Sequence, residues 1–258
     1  MIGKYVRTCG RFIRFSGAVS GAAVRYFFSV RLQGKSSSIR ARAEWLCASS
    51  RRVLASLNIE VERQGVPPAG GLLAANHLGY IDIIVLGAAQ PMVFLSKSEV
   101  RRWPVFGFLA DCAGTLFIRR DRRFDVARFD ESFARVVGSG VVLGIFPEGT
   151  STDGRRVLPF HSSLFAPAAA AQWPVTPAWI GYRAAGGTVE NDVSYWGDMT
   201  FLSHFVRMIS LEKIKATVVY GGAVERGLDR KQMARELHHR VCIMAEDARP
   251  AAQGMAPG

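Results

Sequence analysis

The chain has 258 residues, is 49% apolar and carries a formal net charge of +12. That length fits one large domain, or one domain with an appendage, and the apolar share is enough for a sizeable core. Four scattered cysteines with no Cys-x-x-Cys pair, and five histidines without metal-ligand spacing, argue against a zinc site or a disulfide framework and suit a reducing compartment.

The charge is unevenly placed. Residues 1–56 hold eleven Lys/Arg and one acid, Glu44, so nearly all of the net charge sits there. A basic segment can bind nucleic acid or an anionic membrane. Here the bases are interleaved with Phe12, Ile13, Phe15, Val19, Val24, Tyr26, Phe27, Phe28 and Val30. Bulk of that kind favours an anionic membrane surface and no nucleic acid. Only ten uncharged residues separate Arg14 from Arg25, against the roughly 20 mostly apolar residues of a spanning helix. The expectation is a helix lying in the interface, its arginines reaching lipid phosphates. A secretory signal is a poor fit, because Arg25 falls where cleavage would be expected.

Residues 34–38 read as a hinge and 39–57 as a second helix. The charge imbalance ends there and sets a boundary near residue 56, with a globular domain over 57–248 and a disordered Ala/Pro/Gly-rich tail over 249–258. Strands are predicted at 58–63, 72–75, 92–95, 115–118, 141–146, 175–182 and 216–220. Helices are predicted at 81–89, 100–110, 125–137, 161–171, 204–209 and 230–245. This alternation implies an α/β domain with a mainly parallel sheet flanked by helices, and sites at strand ends.

Four stretches carry chemistry. The first is Asn76-His77-Leu78-Gly79-Tyr80-Ile81-Asp82, between the strand at 72–75 and the helix at 81–89. Five residues on one continuous helix turn about 500°, so two side chains at that spacing would point apart. His77 and Asp82 meet only if His77 lies in the turn and Asp82 in the first turns of the helix. A histidine held by a carboxylate has its tautomer fixed and its imidazolium stabilised, as a general base requires. A histidine that merely caps a helix is the bland alternative. The second stretch, Gly114 to Arg120, is a strand ending in Arg119 and Arg120. Arginine at a strand end can grip phosphate, and an ordinary solvated basic loop explains the pair as well. The third, Phe146-Pro147-Glu148-Gly149-Thr150-Ser151, follows another strand. Gly149 would let backbone approach a ligand, Thr150 and Ser151 offer hydroxyls, and Glu148 could bond a substrate hydroxyl or orient an arginine. Alone, it is a turn with a capping hydroxyl. The fourth, Val175-Thr176-Pro177, places proline in a strand, which suits an edge or a strand start.

In this order the four stretches resemble the glycerolipid acyltransferase family, over about residues 70–185. The His-x4-Asp block matches Asn76 and His77 through Asp82; the second runs from Gly114 to Arg120, with Arg120 as the substrate arginine; the third spans Phe146–Thr150; and the fourth ends at Pro177. The resemblance implies direct acyl transfer from acyl-ACP or acyl-CoA to a lysophospholipid hydroxyl. His77 would be the general base and Asp82 its partner, with Arg120, Glu148 and Gly149 at the acceptor's head. It implies no covalent acyl-enzyme, no metal and no cofactor. It also implies a monotopic protein on the cytoplasmic face of the inner membrane. Many lysophosphatidate-using members have arginine where this chain has Ser151. The run from Ser151 to Phe160, and Tyr195 to Thr200 followed by His204, resemble the lyso-ornithine lipid branch instead. Lysophosphatidate, as the commonest acceptor of the family, is the first expectation and lyso-ornithine lipid the alternative. A non-enzymatic binding protein would explain the charge but not the four stretches.

Overall fold

The computed structural model describes residues 2–118 and 126–248. Arg119 and Arg120, and the tail at 249–258, lie outside the described residues. Helix α1 spans Ile2–Tyr26 and passes into a π-helical turn, Phe27–Arg31. Helix α2, Ile39–Leu57, starts on Ser38, whose hydroxyl accepts the Ala41 amide, and stops on Asn58 in the left-handed region. Then follow β1 (Ile59–Gln64), β2 (Leu72–Ala75), α3 (Ile81–Ala89), β3 (Met92–Lys97), α4 (Phe106–Cys112), β4 (Leu116–Ile118), α5 (Val126–Gly138) and β5 (Val142–Ile145). After them come α6 (Ala166–Ala171), β6 (Val175–Ala185), α7 (Phe201–Ser210), β7 (Lys213–Tyr220) and α8 (Arg230–Ala248).

The seven strands form one sheet in the order β1-β7-β6-β2-β5-β3-β4. Every neighbouring pair is parallel except β6 with β7. Strand β2 is central, and Leu72 to Ala75 are all inaccessible to solvent. Its alternation of side chains feeds two cores. Leu73 and Ala75 face a cluster built with α1, α2, α3 and α7; Leu72 and Ala74 face one built with α5, α6 and α8. The sheet is therefore covered on both faces; the first and third stretches lie in the loops that follow β2 and β5, and the fourth begins β6 beside Leu72 to Ala74.

Several local features differ from the sequence reading. The helix predicted at 100–110 is broken. A 3-10 turn, Ser98–Arg102, is followed by Pro104, which has no N–H to donate, and Val105 at φ 62° before α4 begins. The helix predicted at 161–171 is likewise a 3-10 turn, Ser162–Phe165, leading into α6. Of the two positions expected for Pro177, the sheet edge does not hold, because β6 is an interior strand, and the strand start does, because β6 begins at Val175. The β6/β7 ladder begins one residue later, at Ala178 and Tyr220, so the missing N–H falls just beyond its end.

The charge break near residue 56 is not a break in packing. Trp45, Leu46, Val53, Leu54 and Leu57 of α2 belong to the same buried cluster as the sheet. Helix α1 is also anchored. Arg7 Nη2 donates to the Ser210 carbonyl at 3.0 Å, and Arg11 donates to the Ile209, Leu211 and Glu212 carbonyls. The Ile209, Ser210 and Leu211 carbonyls are those left without helical partners at the end of α7, and Glu212 lies just past it. Arg7 and Arg11 thus hold protein, whereas Lys4, Arg14 and Arg31 are exposed. Among the described residues no helix is long and apolar enough to cross a membrane.

Candidate active site

His77 lies in the loop between β2 and α3, and Asp82 is the second residue of α3. His77 Nδ1 is 2.8 Å from Asp82 Oδ2. The loop wraps the carboxylate: the Leu78 and Gly79 amides donate to the same Oδ2 at 2.7 and 2.9 Å. Tyr182 Oη donates to Oδ1 at 2.6 Å. Asp82 has no solvent exposure, whereas the His77 side chain retains 20%. These donors converge on the carboxylate at the helix N-terminus. An ionised Asp82 can only accept, so Nδ1 carries the proton and Nε2 presents a lone pair.

The loop is held from three sides. On one, Asn76 exchanges two hydrogen bonds with the main chain of Ile180 in β6, at 2.7 and 2.9 Å. On another, Glu148 accepts the His77 amide through Oε1 and the Leu158 amide through Oε2, both at 2.8 Å. The Thr152 amide donates to the His77 carbonyl at 2.9 Å, and the Tyr195 amide to the Leu78 carbonyl at 2.8 Å. Gly79 is needed for the Tyr195 approach: a Cβ there would sit 3.0 Å from the Tyr195 amide nitrogen and Cβ. Burial pushes the Glu148 carboxyl up to about 7, and its two amide donors and His77 pull the other way.

The structure brings some of the expected residues together and separates others. His77, Asp82 and Glu148 form one hydrogen-bonded group and Asn76 ties the same loop to Ile180, with the Asn76 and Glu148 side chains bonded to main chain. Gly149, at φ 75°, turns the chain after Glu148. Thr150 is exposed, and Ser151 Oγ donates to the Tyr195 carbonyl at 2.5 Å. Gly114 makes the turn between α4 and β4 at φ 81°, beside the Arg42 guanidinium. Pro177 is buried in β6.

Sequence reasoning gave no site role to five contributors. Tyr182 and Thr152 are described above. Phe146 stacks on the His77 ring, with centroids 4.1 Å apart and 15° between planes. Tyr80 Oη bonds His204 Nδ1 at 2.9 Å, and burial pushes His204 down to about 4, so it stays neutral. Phe146 also stacks on Phe94, 6.1 Å away, and Phe94 lines an apolar cavity of about 160 Å³. Phe15, Trp45, Val53, Ile84, Trp103 and Phe205 supply its walls from α1, α2, α3, α7 and the turn before α4. Among the described residues no three His, Cys, Asp or Glu side chains are grouped to hold a metal ion.

Residues 58–181 match the family model for acyltransferases. A lyso-ornithine lipid O-acyltransferase from Pseudomonas aeruginosa is 39% identical over 192 residues, covering 74% of each chain. The chain belongs to the acyltransferase family. A 1-acyl-sn-glycerol-3-phosphate acyltransferase from Neisseria meningitidis is 31% identical over 205 residues, covering 77% of this chain and 80% of that one. The crystal structure of the 1-acyl-sn-glycerophosphate acyltransferase PlsC from Thermotoga maritima has the same fold. Its TM-score is 0.67 at 17% identity, and the match covers 97% of this acyltransferase and 98% of that chain.

Proposed function

We propose that this acyltransferase moves a fatty acyl group from a thioester to the free hydroxyl of a lysolipid, with His77 as general base. The observation that carries the reading is the 2.8 Å bond between His77 Nδ1 and the buried Asp82, which leaves Nε2 as the available base. Nε2 takes the acceptor's hydroxyl proton as its oxygen attacks the thioester carbonyl carbon. The tetrahedral intermediate collapses with loss of the thiolate, which receives the proton from the imidazolium. The products are an acylated lipid and a free thiol, and no covalent acyl-enzyme forms. Asp82 offsets the imidazolium charge throughout. Glu148 acts through the backbone of His77, fixing where the ring stands. The apolar cavity reached through Phe146 and Phe94 suits a fatty acyl chain. The donor is acyl-ACP or acyl-CoA, and Arg120 is the proposed grip on the acceptor's head.

Lyso-ornithine lipid is the acceptor favoured by the relatives, and lysophosphatidate is the second reading. Four relatives, 32–39% identical, carry the former name. The Neisseria relatives, at 30–31%, carry the latter. The Ser151–Tyr195 bond adds support, since it joins the two segments that resemble the lyso-ornithine branch. Purified protein offered both lysolipids with acyl-ACP and acyl-CoA, with products read by mass, tests both parts. Preferential acylation of lyso-ornithine lipid is expected. Preference for lysophosphatidate would reverse the order, and free fatty acid formed regardless of acceptor would sink transfer itself.

Membrane attachment is proposed to run through one exposed apolar surface. Phe12, Ile13, Phe27, Phe28 and Leu32 from the N-terminal helices, with Phe108 of α4 and Leu202 of α7, are all exposed. Phe12, Ile13, Phe108 and Leu202 lie on helices that wall the cavity, which would let lipid substrates enter from a bilayer on the cytoplasmic face.

A further inference from the structure

We propose that Tyr182 is a positioning residue of the acyl-transfer reaction. Its hydroxyl, bonded to the far oxygen of Asp82, holds the carboxylate in line with His77 and sets how strongly it retains the ring proton. The proposal rests on His77 being the base, and it adds a third side chain to the pair.

The geometry is specific. Three of the hydrogen bonds that Asp82 accepts enter Oδ2, from His77 Nδ1 and the Leu78 and Gly79 amides. The fourth, from Tyr182, enters Oδ1. The carboxylate is thus held at both ends, and only the Tyr182 end comes from outside the loop that carries His77. Strand β6 grips that loop at two points two residues apart: Ile180 binds Asn76, and Tyr182 binds Asp82. Ile180 does so through its main chain and Tyr182 through its side chain, so one strand sets both ends of the seven-residue motif.

The phenol is a constant donor. Burial, and then the Asp82 charge, raise its pKa well above the usual tyrosine range, so the proton stays on oxygen wherever the enzyme is folded. A donor to a buried carboxylate draws off negative charge that would otherwise hold the proton on the histidine ring. The other titratable and charged groups around the pair are His77 and Tyr80 in the loop, Glu148 after β5, and His204 and Arg207 on α7. None of these is altered by substituting Tyr182. A purely space-filling tyrosine would leave the titration of His77 unmoved when its hydroxyl is removed.

Two readouts test this on the full-length protein. One is the rate at which diethylpyrocarbonate modifies His77 across pH, read by mass; the other is the pH profile of kcat/KM for one lysolipid and one acyl thioester. In Tyr182→Phe both midpoints move to higher pH by about half to one unit, the share of a charge-assisted hydrogen bond passed on through Asp82. Replacing Tyr182 with 3-fluorotyrosine, a stronger donor of nearly the same shape, moves them to lower pH. If the midpoints stay put in both variants, Tyr182 only fills space. Should Tyr182→Phe fail to fold, the fluorotyrosine protein decides alone. The chemical modification needs no substrate. A shifted midpoint in a protein that transfers no acyl group would therefore sink the functional reading and keep the coupling. Transfer with an unmoved midpoint would do the opposite.

Discussion

Two regions meet at the end of β2 and are built by opposite means. The loop from Asn76 to Asp82 is saturated with directional bonds. Its carboxylate accepts four hydrogen bonds, its asparagine side chain exchanges two with the Ile180 main chain, and its histidine amide donates to a buried glutamate. The cavity beside it is held by non-directional contacts among aromatic and aliphatic side chains from separate helices. A reacting group must be placed to within a fraction of an ångström, and hydrogen bonds in a low dielectric do that. A fatty chain needs only volume and dryness, which burial supplies. Single changes in the loop should therefore have large effects, and single changes around the cavity graded ones.

The largest effect is expected from His77→Ala. It should lower kcat/KM by about 10²–10⁴-fold while the melting temperature and vesicle binding stay near wild type. Retained transfer would remove the polar region from the chemistry altogether. Asp82→Ala comes next and tests whether the bonds are structural too. It strands His77 Nδ1, two amides and the Tyr182 hydroxyl, so it should cost about 3–5 kcal/mol in denaturant unfolding besides most of the activity.

Glu148→Gln is milder, because one oxygen remains to accept one of the two amides. About a tenfold loss of kcat/KM is expected. The substitution also removes a pH dependence of stability. Burial raises the Glu148 carboxyl from 4.5 to about 7, so the folded state holds this proton more tightly than the unfolded state. Its contribution therefore falls as pH rises between those values. Melting temperatures taken across that window should show a shallower decline in the glutamine variant, and an unchanged slope would assign the effect to another group.

Around the cavity, Ala110→Phe adds bulk to a lining position. It should favour shorter acyl thioesters by about tenfold, the scale of modest overpacking, with little change in total activity on short donors. Equal losses on all donors would mean that the chain binds elsewhere. The smallest effects belong to the exposed apolar surface. Phe28→Ser should weaken co-sedimentation with anionic vesicles by about tenfold, somewhat less than full burial of one aromatic ring would give. Activity on detergent-dispersed substrate should be spared.

Much of this arrangement is legible in the residues alone. The alternation of short apolar runs and helical stretches implies a covered, mainly parallel sheet, because a strand buried on both faces must be apolar throughout, as Leu72 to Ala75 are. The five-residue spacing of His77 and Asp82 itself requires that one precede the helix and the other enter it, since an α-helix would turn them apart. The sequence also marks the segments around Ser151 and Tyr195 as unusual. Only the tertiary structure decides what lies across from them. Tyr182 is a hundred residues from Asp82 in sequence, and Ile180 is equally far from Asn76. Strand register brings them together, and register is a property of the whole sheet. The same holds for Arg7 and Arg11. As residues of a basic helix they read as lipid-facing, but the end of α7 has carbonyls with no partner of their own, and its packing against α1 gives those arginines to the protein. Local sequence determines which groups a segment can offer. The fold determines which of them meet, because a hydrogen bond depends on position in space and not along the chain.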